Sequence, residues 1–298
     1  MQSLLFTGAS GFLGSNILPL LNETYDVDTL ALDDNATYNI NLVKDEIHLN
    51  KQYNIVLHAA GKAHVVPKTD AEVKLFYDIN FEGTKKVCSA LEKSGVPKSF
   101  IFISTVAVYG CDFGEDINEE HPLDGDSPYA KSKIMAEEYL KNWCNNHNVI
   151  LTILRPSLLA GKNAPGNLGA MVKGIKSGRY LSIAGGKARK SVLMVQDIAN
   201  LLPLVANKGG IYNVCDDSQP TFCELEILIS RQLRKKTPLS IPMWMAKSLA
   251  IVGNLLGPKA PINSLKLKKI TQSLTFSNEK AKTALDWKPM NVLENFEI

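Results

Sequence analysis

Three glycines spaced by three, Gly8, Gly11 and Gly14, stand in the segment Thr7-Gly8-Ala9-Ser10-Gly11-Phe12-Leu13-Gly14, directly behind the short apolar run Leu4-Leu5-Phe6. A strand that feeds a helix through such a turn must expose bare backbone, which constrains the fold more than any other feature of the chain. Gly8 permits the tight turn, Gly11 allows close approach without a Cβ clash, and Gly14 lets helix pack on strand. The unpaired N–H groups at the helix start then face an anion, such as the pyrophosphate of a dinucleotide. The spacing is G-x-x-G-x-x-G rather than G-x-G-x-x-G, so an ordinary strand–helix turn competes with this reading. The surrounding sequence decides between them.

Apolar runs that read as strands recur at 3–7, 27–32, 54–58, 99–104 and 149–154, with helical patterns at 12–21, 71–93 and 128–144. Continuously apolar strands alternating with helices imply an α/β fold, a doubly wound parallel sheet covered on both faces. Strand ends near Thr7, Leu32, His58 and Ser104 then line one carboxyl edge, where such sheets bind ligands. Beyond Pro156 the elements shorten. Residues 161–169 form a loop with the turn signal Pro165-Gly166-Asn167, followed by a helix at 170–177, a strand at 192–194 and helices at 196–205 and 222–233. This pattern predicts a dinucleotide-binding core at 1–160, with 191–215 packing back on it. A smaller C-terminal substrate-binding lobe is expected from 161–190 and 216–298.

Composition narrows the class. The chain has 298 residues, 45% of them apolar, which supplies a sizeable core. Its net charge of +3 is small, and the basic runs Arg234-Lys235-Lys236 and Lys266 to Lys269 read as solvated helix ends, so nucleic acid is not an expected partner. The five cysteines form no C-x-x-C pair and the five histidines are scattered, which predicts a reduced, cytoplasmic protein without structural metal. The sequence enters its first strand at once, so no signal peptide is expected. Met243 to Leu256 is apolar but contains Lys247, Gly253 and Asn254 and is too short to span a bilayer. It reads as a buried or substrate-lobe helix, with contact to a membrane surface as the lesser alternative.

Asp33 follows the second strand, 19 residues after Gly14. A carboxylate there accepts hydrogen bonds from both adenosine ribose hydroxyls and repels a 2′-phosphate, which favours NAD over NADP. The competing reading makes Asp33-Asp34-Asn35 a polar turn. Tyr129 and Lys133 are four apart in a helical stretch, so both side chains leave one face. A phenol has a pKa near 10; an adjacent ammonium and a positive nicotinamide would bring it toward the working range. The bland alternative is a surface helix pair, but the position after the fourth strand of a dinucleotide fold favours catalysis. At the end of that strand, Thr105 is the candidate catalytic hydroxyl and Ser104 a supporting group, set against simple strand-end capping.

Taken together, these segments resemble the extended short-chain dehydrogenase/reductases, and within them the NAD-dependent nucleotide-sugar epimerases and dehydratases. The resemblance spans nearly the whole chain: the glycine turn, Val56-Leu57-His58-Ala59-Ala60-Gly61, Asn80 with Gly83-Thr84, Ser104 to Gly110, the Tyr129/Lys133 pair, Arg155-Pro156, and the tail Leu285-Asp286-Trp287-Lys288-Pro289. It implies a Rossmann-type core whose NAD contacts are Gly8, Ser10, Gly11, Phe12, Leu13, Gly14, Asp33, Ala59, Ala60, Gly61, Asn80, Tyr129, Lys133 and Pro156. It further implies that a nucleotide-sugar substrate meets Thr105, Asn167 and Leu168, with Lys190 in the place of a diphosphate-binding arginine and Arg189 beside it. A lysine keeps the charge but loses bidentate geometry, and either cation can instead be an exposed surface residue. A homodimer through the helices at 71–93 and 128–144 is also implied, although inward packing explains their apolar positions equally well.

Three departures from the family pattern shape the functional reading. Val106 and Ala107 occupy the places of the Asp-Glu pair of 4,6-dehydratases and have no proton to donate, which argues against dehydration. Leu158 replaces an Asn usual in sugar 4-epimerases, and with Gly61-Lys62-Ala63-His64-Val65 it looks closer to 4-keto-sugar reductases of polysaccharide synthesis. The chain runs only a little past Pro289, so no contact from a longer tail is expected. The preferred expectation is an NAD-dependent 4-epimerase of a UDP-hexose or UDP-N-acetylhexosamine. The alternative is an NAD(P)H-dependent 4-keto-reductase of a UDP-sugar. A non-catalytic dinucleotide sensor ranks third, because such proteins commonly lose the Tyr or the Lys.

Overall fold

The computed structural model describes residues 1–256 and 262–298. Its centre is a parallel sheet built from β1 (Gln2–Thr7), β2 (Tyr25–Ala31), β3 (Tyr38–Asn39), β4 (Ile55–His58), β5 (Ser99–Ile103), β7 (Ile150–Pro156) and β11 (Gly210–Val214), in the spatial order β11-β7-β5-β4-β1-β2-β3. The label β6 belongs to Gly114–Ile117, β8 to Leu158–Ala160, β9 to Ser182–Ile183 and β10 to Val192–Met194, all outside this sheet.

Strand alternation explains the continuous apolar runs. Leu4, Phe6, Ile55, Leu57, Ile101 and Ile103 face one side, while Leu5, Val56, Phe100 and Phe102 face the other. The first side is covered by α1 (Phe12–Asn22) through Leu13, Ile17 and Leu21, and by the helix Gln196–Val205 through Ile198, Leu201 and Leu202. The second is covered by the helix Gly83–Ser94 through Val87 and Leu91, and by the helix Pro128–His147 through Ala136, Leu140 and Trp143. The inner strands β4 and β5 are buried along their whole length, so no polar alternation survives in them.

The chain leaves β1 toward β2 and β3 on one side, then returns to β4, β5, β7 and β11 on the other. The glycine turn follows β1, at this reversal of strand order, where open parallel sheets leave a ligand crevice. The helix expected over 71–93 is interrupted: α2 (Asp70–Tyr77) passes through a π-turn at Asp78–Glu82 before α3 (Gly83–Ser94) begins. The wider turn carries Asn80, which is fully buried.

The lobe contains the helices Gly166–Lys176 and Phe222–Gln232, which share an apolar cluster with Leu168, Met171, Ile175, Leu225 and Ile229. The chain crosses between layers more often than a division at residue 216 allows. Ala281, Leu285 and Trp287 pack into the main sheet's core, and β6 pairs in parallel with the strand Leu274–Phe276. The helix Met243–Leu256 belongs to the lobe but is not buried: only Ala246, Ala250 and Gly253 face inward.

Candidate active site

Backbone geometry shapes the turn after β1. Gly8 has φ +79°, and a Cβ there would lie 2.6 Å from the Ala60 backbone nitrogen. A Cβ on Gly14 would fall 2.2 Å from the Ala9 carbonyl oxygen. Gly11 is the N-cap of α1, and no side chain caps the helix start. The first-turn N–H groups are thus left for an anion. Ser10 and Gly11 are exposed and Phe12 is half-buried, whereas the Leu13 side chain packs in the core. Asp33 lies half-buried two residues beyond β2, its carboxylate accepting hydrogen bonds from the Asn35 backbone N–H at 2.8 Å and side-chain amide at 3.2 Å. The polar turn and a ribose-binding carboxylate are therefore compatible in one residue.

Beneath the turn, His58 is fully buried at the end of β4. Its Nδ1 lies 2.6 Å from Thr7 Oγ1 and its Nε2 2.9 Å from Thr84 Oγ1, while Thr84 donates to the Asn80 carbonyl at 2.7 Å. With the Thr84 proton committed, His58 Nε2 must carry the hydrogen and Nδ1 accept from Thr7. Burial and the Lys133 charge push His58 down to about 3, so the ring is neutral and structural. Asn80 is wholly engaged within the protein. Its Oδ1 accepts from Lys62 N at 2.6 Å, and its Nδ2 donates to Lys62 O at 3.1 Å and Ser132 Oγ at 2.9 Å. It holds the loop containing Ala59, Ala60 and Gly61 against α4 (Pro128–His147). Gly61 is the close neighbour of Lys133, since a Cβ there would lie 3.3 Å from Lys133 Nζ.

Helix α4 starts on a Ser127 cap, whose hydroxyl accepts from Ala130 N at 3.1 Å, with Pro128 in the first turn. Tyr129, Lys133 and Glu137 follow at four-residue intervals on one face. Tyr129 is half-buried, hydrogen-bonded to Thr105, and packed edge-on against Phe76 at 6.3 Å between ring centroids. Burial pushes its phenol above the ordinary value of 10, with Thr105 pulling in the opposite direction. The ammonium effect expected from sequence is not what governs the phenol here. Lys133 Nζ instead donates to the Ile103 carbonyl at 2.9 Å and sits 4.5 Å from the Phe102 ring centroid. Burial lowers Lys133 to about 8, against the raising influence of Glu137.

Ser104 turns away from this group. Its hydroxyl donates to Glu137 Oε1 at 2.5 Å. Glu137 also receives Arg155 Nε at 3.1 Å and Nη2 at 2.6 Å, a bidentate pair buried to within 2% of full enclosure. Arg155 Nη1 donates to Tyr109 Oη at 2.9 Å, and Tyr109 donates to Asn213 Oδ1 at 2.6 Å. This network braces the ends of β5, β7 and β11 behind the Tyr129–Thr105 contact. Sequence reasoning passed over Glu137. The available signal was that it continues the face of Tyr129 and Lys133 by one further turn.

Of the expected substrate contacts, Asn167 is exposed at the start of the helix Gly166–Lys176. The Leu168 side chain is buried in the lobe core, which leaves only its backbone for a ligand. Arg189 is exposed and donates to the Gln219 carbonyl at 3.0 Å. Lys190 points inward, donating to the Gln272 carbonyl at 3.0 Å, and burial lowers it to about 8, with Asp112 and Lys269 opposing each other nearby. Pro156 is buried at the end of β7, paired with Val214. Among the described residues no cluster of His, Cys, Asp or Glu is placed to hold a metal ion.

A family model described as the NAD dependent epimerase/dehydratase family matches residues 4–215. The N-acetyl-alpha-D-glucosaminyl-diphospho-ditrans,octacis-undecaprenol 4-epimerase of Escherichia coli O157:H7 is 31% identical, over 94% of this chain and 88% of its own length. The UDP-glucose 4-epimerase of Vibrio cholerae is 27% identical, over 98% of this chain and 92% of its own. Among solved structures, the UDP-glucose 4-epimerase of Thermotoga maritima, determined with UDP-glucose, superposes with a TM-score of 0.70 at 22% identity, covering 98% of this chain and 95% of that one.

Proposed function

The chain belongs to the NAD-dependent epimerase/dehydratase family, and from that premise we propose that it inverts C4 of a sugar carried on a diphosphate, with a UDP-hexose or UDP-N-acetylhexosamine as the expected substrate. The observation that carries this reading is the Tyr129–Thr105 contact at the carboxyl edge of the sheet, with Lys133 beside Gly61 on the same helix face.

The chain fits a nicotinamide dinucleotide, because Gly8 and Gly14 have no room for a Cβ and the start of α1 has no side-chain cap. Gly8, Ser10, Gly11, Phe12, Leu13 and Gly14 would hold the pyrophosphate. Asp33 would take the adenosine ribose and so select NAD over NADP. Ala59, Ala60, Gly61 and Pro156 would flank the nicotinamide end, with Asn80 fixing the loop from behind. When bound, the group supplies the hydride acceptor and donor at C4.

Tyr129 would remove the proton from the C4 hydroxyl and return it after inversion. Thr105, donating to the phenolic oxygen, stabilises its charged form. Lys133, held on the Ile103 carbonyl beside Gly61, would place its amine near the nicotinamide end of the site. Lys190 would meet the substrate diphosphate, whose negative charge would restore the proton that burial loosens. The family includes dehydratases, but the residues after Thr105 are Val106 and Ala107, which have no acidic proton for elimination of water.

The test is incubation with UDP-glucose and UDP-N-acetylglucosamine without added reductant, scoring mass and C4 stereochemistry of the product. A C4 epimer of unchanged mass supports the proposal, and loss of water makes the protein a dehydratase. Stoichiometric consumption of NAD(P)H only with a 4-keto sugar would make it a reductase, the reading that Leu158 favours. The lipid-linked substrate named for the Escherichia coli relative adds a second sugar carrier to test, an undecaprenyl diphosphate.

A further inference from the structure

The helix Met243–Leu256 sits on the lobe the wrong way round for a soluble surface helix. Its inward stripe is made of small residues, Ala246, Ala250 and Gly253, packed near Leu267 and Ile241. Trp244, Met245, Leu249, Ile251, Val252, Leu255 and Leu256 are all exposed, Trp244 at 69% and Leu255 at 85%. At 100° per residue these seven fall in one continuous arc opposite the small-residue stripe. Isolated exposed apolar residues are ordinary, but a contiguous face of this kind marks an interaction surface.

Charge identifies what covers it. Residues 227–278 contain nine lysines and arginines and no aspartate or glutamate, while the rest of the chain has 24 basic and 30 acidic residues. The apolar arc thus lies within a segment of strong positive bias in a chain otherwise net negative. Lys247 and Lys268 line the cleft between this helix and its neighbour Ser264–Thr271. Such a helix, apolar on its outer face, bordered by lysines and carrying a tryptophan at one end, matches an element lying in the plane of a lipid headgroup layer. Among the described residues no helix is long and apolar enough to cross a membrane.

We propose that the outer face of Met243–Leu256 docks this protein on an anionic lipid bilayer. The neighbouring helix links the docking face to the site, because Lys190 donates at 3.0 Å to the carbonyl of Gln272, the residue that caps that helix's C-terminus. Docking itself does not depend on the epimerase reading. Its consequence does rest on that reading: a sugar whose diphosphate is carried on a membrane lipid would be presented beside Lys190.

The probe is a set of unilamellar vesicles, one of phosphatidylcholine alone and one of phosphatidylcholine with phosphatidylglycerol in equal parts. The full chain should sediment with the anionic vesicles and bind the neutral ones about tenfold less, the difference shrinking as salt is raised. The other two tryptophans, Trp143 and Trp287, are buried, so a blue shift of emission on binding reports Trp244. The double variant Ile251→Glu with Leu255→Glu should lose vesicle binding about tenfold or more while retaining turnover of soluble sugar nucleotides. Absence of binding to anionic vesicles, or equal binding by the variant, overturns the proposal. A dimer that the double variant dissociates, without vesicle binding by either form, assigns the face to a second copy and also overturns it. Vesicle binding without sugar turnover would remove the epimerase reading and leave the docking intact.

Discussion

Replacing Glu137 by glutamine tests whether the buried network behind the site is a structural brace. The substitution keeps the shape but leaves the Arg155 guanidinium, 2% exposed, without its countercharge. Removing one partner of a buried ion pair costs about 3–5 kcal/mol. At roughly 2–4 °C per kcal/mol, the melting temperature should fall by about 6–20 °C, followed by far-UV circular dichroism at one scan rate. Burial shields the pair from mobile ions, so the loss should be nearly the same at low and high salt. The double replacement Glu137→Leu with Arg155→Met should recover part of the loss, because no lone charge remains buried. Glu137→Gln should also move kinetics, since Glu137 is the group that raises Lys133 toward its ordinary value. A decrease of less than about 1 kcal/mol, the scale of an exposed pair, would refute the brace.

Three further outcomes follow from the same geometry. Gly14→Ala places a methyl group 2.2 Å from the Ala9 carbonyl, so calorimetry should show dinucleotide affinity weakened by about tenfold or more, with about 1–3 kcal/mol of lost stability. Asp33→Ser removes the carboxylate expected to repel a 2′-phosphate, and competition binding should show the NAD over NADP preference reduced by about tenfold. Lys133 releases its proton at about 8 in the folded enzyme against 10.5 ordinarily, so kcat/KM should fall above pH 8. Over pH 8–10.5 its contribution to stability rises instead, because the unfolded chain still holds that proton, and chemical unfolding at several pH values would register the opposite sign.

Much of the architecture could be read along the chain because it rests on local signals. The glycine turn and the doubly apolar strands each declare themselves within a few residues. The helix at 71–93 illustrates the limit: its period is helical throughout, yet the π-turn that buries Asn80 depends on bonds to Lys62 and Ser132 from other elements. The brace is similarly invisible, since Tyr109 meets Asn213 across 104 positions and only the sheet brings them together. At Ser104 the residue type permitted a role beside Tyr129, but packing turned its hydroxyl to Glu137. At Met243–Leu256 the apolar composition left a buried helix, a substrate-lobe helix and a membrane contact open. The arrangement of small against large residues around the helix removes full burial, because its large apolar side chains stay exposed.

The most direct test is Tyr129→Phe, assayed for C4 inversion and, separately, for dinucleotide binding. Loss of the single phenolic oxygen should lower turnover by about a hundredfold to ten-thousandfold, the range of general acid–base catalysis, while the cofactor Kd stays nearly unchanged. Inversion within about threefold of the native enzyme would contradict the assignment of proton transfer to this helix face.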